Sequence, residues 1–276
     1  MAGSMVYRLP VADPSAPHMA SFIQAMQAAE AISDNRGYNY IAGFHGAPQW
    51  FCWHHQQSRH TPLQARLFLP WHRAYLWWLE QALQDQVAGV ALPYWDWTTQ
   101  QAIPTAYADR RLPSPPYPAN TANPLYSTQA LAPTANPPIR HRTVRRPGRT
   151  PGSVLPTPPD IADLLNDSDW ASFSDRLEDF HDHVHVWVGG DTQDITTAAY
   201  DPIFFAHHAM IDRVWYLWQV NHGNGGIPAD LLTETLMPFN KTTADVLDVQ
   251  KLGYEYAASA APIPVPRPPS PAPVHG

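Results

Sequence analysis

The chain has one cysteine, Cys52, so no intramolecular disulfide can hold it together. Charge is scarce. Only 15% of the 276 residues are charged and the net charge is -7. Basic residues gather only in an arginine run at 140–149, which argues against a nucleic-acid partner. No apolar run reaches the roughly 18 residues that a membrane helix needs. A basic region followed by an apolar stretch is missing near residue 1, so no signal peptide is visible and the expected location stays open between the cytoplasm and export with a partner. No internal repeat shows by periodicity, and no HExxH motif occurs.

What the chain does have is apolar and aromatic mass. Hydrophobic residues make up 44%, with 11 Trp and 12 Tyr, enough for one large core. Met19, Phe22, Ile23, Met26 and Ala29 recur at helical spacing within 17–33. A short helix is expected near Tyr38–Gly46, and a loop over 49–67. Residues 69–87 read as a strong helix with Pro70 in its first turn, and 202–220 as another with Pro202 at its start. Residues 161–188 read as one long helix stopped by Gly189 and Gly190. Between them, 103–160 is rich in proline and arginine and has no regular pattern, so it reads as a long excursion, partly ordered at best. Residues 257–276 form a Pro/Ala-rich tail outside a domain spanning 1–256. The fold expected is mainly α, a four-helix-bundle core with long loops.

Histidine is unevenly spread. Eight of the 14 lie in two places: His54, His55 and His60, then His181, His183, His185, His207 and His208. On a helix His181 and His185 stand at i and i+4 and share one face, while His183 points elsewhere. Of the adjacent pair His207–His208 only one can face a given site, because neighbours differ by about 100°. His72 sits between Trp71 and the following apolar turn. Buried imidazoles need partners, and a metal accepts several at once. A mostly imidazole donor set without a cysteine cluster suits copper, zinc, iron or nickel. Six candidates in two halves point to two metals with three imidazoles each, a set suited to copper cycling and dioxygen.

The stretches that carry these histidines resemble the tyrosinase, catechol oxidase and molluscan haemocyanin family. LFLPWHRAYLWWLE (67–80) is similar to its copper A signature, DPIFFAHHAMIDRVW (201–215) to its copper B signature, and HDHVHVWVGG (181–190) to the segment between them. LGYEY (252–256) resembles the tyrosine motif that closes the family's core domain. The resemblance implies two copper ions. His45, His54 and His72 would hold copper A, and His181, His185 and His208 copper B, with His207 behind them. Cys52-Trp53-His54 resembles a Cys-x-His in which the cysteine forms a thioether to the second copper A ligand. The alternative for Cys52 is a buried free thiol.

Three departures from the family pattern bear on activity. The second copper A histidine usually lies a few residues before FLPWH; here Pro62 or Leu63 stands there, so His54 is expected, with His55 and His60 as alternatives. Asp182 follows the first copper B histidine where many tyrosinases have Asn. That Asn and a nearby Glu are proposed to hold a water that deprotonates monophenols. Asp182 and Glu178 are the candidates for that role here. No large C-terminal domain follows to plug the site, which suggests an active form or one with a separate copper-loading partner. Val186 matches a position that lines the family's substrate cavity. The implied activity is hydroxylation of monophenols, oxidation of catechols to o-quinones, or both, with dioxygen as co-substrate. A catechol or o-aminophenol oxidase without action on monophenols, and a haemocyanin-like oxygen-binding module, are the alternatives.

Overall fold

A computed structural model describes residues 5–52 and 66–257. The helices in chain order are α1 (Pro17–Glu30), α2 (Tyr38–Ala42), α3 (Phe68–Gln84), α4 (Thr105–Ala108), α5 (Pro158–Leu165), α6 (Trp170–Val188), α7 (Ile203–His222), α8 (Ala229–Leu232) and α9 (Thr243–Val246). Short strands are β1 (Val6–Arg8), β2 (Gln129–Ala132), β3 (Ile139–Arg142), β4 (Thr235–Leu236), β5 (Lys241–Thr242) and β6 (Tyr254–Tyr256). The chain is thus mainly α, as its periodicity predicts. No helix among the described residues is long and apolar enough to cross a membrane.

α7 is the innermost element. Every residue from Ile203 to Asp212 is buried, so this part of the helix is enclosed all round rather than along one stripe. α3 packs on it and also touches α1 and α6, and α6 packs on α7. α6 is amphipathic: Trp170, Phe173, Leu177, His181, Val184 and Val188 form its buried stripe. Its start is capped by Asp169, whose side chain accepts from the Ser172 N–H at 2.8 Å. This cap, with the turn at Asn166–Ser168, divides the helix expected over 161–188 into α5 and α6. α5 has its own capping box between Thr157 and Asp160.

The excursion over 103–160 is folded, contrary to the sequence expectation. β2 and β3 pair antiparallel, Gln129 opposite Arg142 and Ala132 opposite Ile139. Its arginines find partners that residue type does not announce. Arg145 grips the buried Asp201 carboxylate through Nε at 2.8 and 2.9 Å, and donates to the main-chain carbonyls of Tyr107 and Leu125. The next residues pair with the end of α6: Arg146 N–H donates to Val188 O at 2.9 Å and Gly148 N–H to Trp187 O at 2.8 Å. Gly190 is required at this contact. It has φ +66°, and a Cβ there would fall 2.1 Å from Val144 O.

β1 and β6 pair in parallel, Val6 opposite Tyr254 and Arg8 opposite Tyr256. This brings Arg8, fully buried, to Glu80 on α3 and Asp212 on α7. Asp212 collects four donors: Arg73 Nε at 2.5 Å, Arg8 Nη1 at 3.1 Å, and the hydroxyls of Tyr254 and Tyr256 at 2.7 and 2.6 Å. Burial alone would raise its pKa, but Arg73 and Arg8 outweigh that and hold it below the usual carboxylate value.

Candidate metal centre

The histidines converge where α3, α6 and α7 meet. His72 projects from the first turns of α3, His181 and His185 from one face of α6, and His207 and His208 from the middle of α7. His45 follows α2 and its ring lies 5.6 Å from that of His72. The rings of His72 and His208 stack at 4.5 Å, and His181 lies 4.8 Å from His208 and 4.4 Å from His185. Two groups emerge. One nitrogen from each of His181, His185, His207 and His208 lies within 4.8 Å of the others, and so do donor atoms of His45, Cys52 and His72. His54, His55 and His60 lie outside the described residues, as does the proposed bond from Cys52 to His54. Cys52 is buried, with Sγ 3.9 Å from His72 Nε2. His183 is exposed on the far face of α6.

The partners of Nδ1 decide what these rings can do. His72 Nδ1 lies 2.9 Å from Phe68 O, His208 Nδ1 2.9 Å from Phe204 O, His185 Nδ1 2.7 Å from Thr192 O, and His181 Nδ1 3.0 Å from Asp182 Oδ1. A carbonyl or an ionised carboxylate only accepts, so each Nδ1 carries the proton and donates. In a neutral imidazole that leaves the lone pair on Nε2. Burial, with the neighbouring imidazoles, drives His208 well below its ordinary pKa and keeps it neutral. The Nε2 atoms of His181 and His208 face each other at 3.0 Å. Imidazoles with Nδ1–H engaged and Nε2 left to donate are the donor set a copper ion takes.

Apolar rings wall the cluster. Phe204 stacks on His208 at 3.8 Å, and Phe68 stands edge-on to His181 at 4.8 Å and to His72 at 5.0 Å. A cavity of about 370 Å³ opens over His45 and His185, lined also by Asp182, Val186, Gln193 and Ile195. Asp182 is half-exposed at this rim, and partial burial with Asp179 nearby pushes its carboxyl up to about 6. Glu178 lies one turn earlier on the same face of α6, where burial and then Asp182, Asp175 and Asp179 push it up to about 8. Glu178 is not among the described residues lining the cavity.

Sequence reasoning missed two contributors. Thr192 acts through its main-chain carbonyl, which no residue type encodes. Trp97, fully buried, donates from its indole N–H to His207 Nδ1 at 3.2 Å. Its place in the aromatic run PYWDW marks a core residue and nothing more.

A mainly α core that turns two sets of buried imidazoles toward each other is the framework of an all-imidazole, two-metal centre. The common central domain of tyrosinase matches residues 35–221. A tyrosinase of Streptomyces glaucescens is 37% identical over 212 residues, covering 66% of this chain and 75% of that protein. Hemocyanin G-type, units Oda to Odg, of Enteroctopus dofleini is 29% identical over 258 residues, covering 84% of this chain but 8% of that much longer protein. The structure of a functional unit from octopus hemocyanin superposes with a TM-score of 0.70 at 27% identity, over 91% of this chain and 68% of that one. The chain belongs to the tyrosinase family of type 3 copper proteins. Its cofactor is a pair of copper ions, for which the two clusters supply the donors.

Proposed function

We propose that the chain is a copper-dependent phenol oxidase of the tyrosinase and catechol oxidase type. The observation that carries this reading is the facing Nε2 atoms of His181 and His208 beside a cavity that carries the apolar side chains of Val186, Ile195 and Ala198 and one carboxylate at its rim. His181, His185 and His208 hold one copper. His45, His72 and, from the sequence, His54 hold the other. When bound, the two coppers supply dioxygen binding and electron transfer.

The chain's own residues do the rest. Val186 and Ile195 receive the flat face of a phenol ring and exclude water from it. Asp182 uses Oδ1 to orient His181, and its carboxylate at the cavity rim takes the phenol proton directly or through one water. A carboxyl titrating near 6 is mostly ionised at neutral pH and still basic enough for that task. Glu178, one turn away, stays largely protonated at neutral pH and backs Asp182 without adding a second full charge. Thr192 O and Phe204 O keep His185 and His208 in the ligating tautomer.

Asp182 favours a second reading. Its position is one where many tyrosinases carry Asn, which points to an oxidase confined to catechols or o-aminophenols. One experiment separates these. The protein is loaded with copper, its stoichiometry measured, and turnover screened on monophenols, catechols and o-aminophenols. Two copper ions with turnover of at least one class is the expected result, and monophenol turnover selects the tyrosinase reading. Reversible dioxygen binding without turnover of any phenol would overturn the enzyme reading in favour of oxygen carriage. Copper well below two ions per chain would overturn the metal assignment.

A further inference from the structure

α7 offers two adjacent histidines to one metal. His207 and His208 are both buried, at 2% and 1% exposure, and a nitrogen of each lies in the same cluster with His181 and His185. Proximity alone does not choose between them. The hydrogen bonds do. Around the cluster, the Nδ1 atoms of His72, His181, His185 and His208 each face an oxygen acceptor. His207 is the reverse: its Nδ1 faces the indole N–H of Trp97 at 3.2 Å. Indole Nε1 only donates. His207 Nδ1 must therefore hold the lone pair, and the proton of the neutral ring sits on Nε2. The ring also has a main-chain hydrogen bond with His181, of the kind an N–H donor makes. A protonated ring nitrogen has no lone pair to give a metal.

We propose that Trp97 is a positioning residue that bars His207 from the copper by fixing it as the Nε2–H tautomer, so that copper B takes His208 alone from α7. The proposal rests on the reading of His181, His185 and His208 as copper B ligands. Its reach is greater than one bond. Four imidazoles within 4.8 Å could satisfy a copper ion by themselves and close it to dioxygen and substrate. Locking one of them in the wrong tautomer would leave three imidazoles to hold the ion, with room for a further ligand. His207 stays in place as a flat partner, its ring parallel to His181 at 5.2 Å.

Two measurements test this. Imidazole nitrogen NMR of the copper-free full chain is expected to show His207 protonated at Nε2, and His181, His185 and His208 protonated at Nδ1. Protonation of His207 at Nδ1 would overturn the proposal, and this result does not depend on any variant folding. The second is a rescue. His208→Ala is expected to lower bound copper from two ions per chain to about one, and adding Trp97→Phe to return it toward two as His207 is released. Retention of both ions by His208→Ala with Trp97 intact would overturn the proposal, as would a folded double variant that regains none. Should the unmutated chain bind well below two ions, the copper reading fails while the tautomer result still judges the role of Trp97.

Discussion

Arg73 Nε donates to Asp212 Oδ1 at 2.5 Å, and each residue stands close to a copper-ligand candidate on its own helix. Arg73 follows His72 on α3, and Asp212 lies one turn beyond His208 on α7. The pair therefore fixes the two helices in register behind the rings that stack at 4.5 Å. Replacing Asp212 by Ala leaves Arg73 and Arg8 buried with their shared anion removed. The expected loss is about 3–5 kcal/mol, read from the denaturant midpoint of the copper-free protein. A loss below 1 kcal/mol would show that the tyrosine hydroxyls and carbonyls nearby satisfy both guanidinium groups without it.

Glu178 gives the fold a pH dependence of known sign. Its carboxyl is pushed from 4.5 up to about 8 in the folded chain, so between those values the native state holds a proton that the unfolded chain has lost. Its contribution is fully present below pH 4.5 and is lost as pH rises to about 8. Glu178→Gln removes the penalty. The variant is expected to match the parent at pH 4.5 and to exceed it in stability at pH 8.5, as measured by urea unfolding at both pH values. Equal stability of the two proteins across this range would show that the carboxylate is solvated.

Asp182→Asn keeps the shape and the acceptor for His181 but cannot take a proton. On the reading in which Asp182 takes the phenol proton, monophenol turnover is expected to fall on the order of 100-fold relative to turnover of the matching catechol; on the reading in which Asn at this position serves monophenols, the ratio is expected to rise. The measurement is kcat on both substrates with copper content held equal. An unchanged ratio removes Asp182 from proton transfer.

Arg145 ties the 139–148 segment to the start of α7 through Asp201. Arg145→Met strands a buried carboxylate and two carbonyls, and is expected to lower Tm by on the order of 10 °C. Hydrogen exchange should quicken at Arg146, Gly148 and Asp191, whose N–H groups donate to Val188 O, Trp187 O and Val144 O. Unchanged exchange there would mean that the segment holds its place without Arg145.

Much of this was legible from residue order. The helices around Phe68–Gln84 and Ile203–His222 show in their apolar runs, and the shared face of His181 and His185 in their spacing. The division of α5 from α6 was also encoded: Asp169 is a good N-cap, but the apolar rhythm on either side hides it. The folded excursion was not legible. Arg145 is buried because a carboxylate 56 positions away and two carbonyls meet it, and main-chain acceptors leave no mark in a sequence. The same holds for Thr192, whose main-chain carbonyl faces the His185 ring. Trp97 carries its meaning only through the nitrogen it faces.

The pairing of β1 with β6 has a consequence for the order of assembly. Arg8 and Tyr256 hydrogen-bond across 248 positions, and both reach Asp212. A ribosome that has already released α3, α6 and α7 has still not delivered the two tyrosines that seat this carboxylate. The brace behind His208 thus closes only when the last described strand docks beside the first, a contact of long sequence separation and slow formation. Until then the helices can gather their histidines, but the backing that fixes their spacing is incomplete. On this order of assembly, firm metal uptake is expected to come late, coupled to the final strand rather than to the helices that carry the candidate ligands.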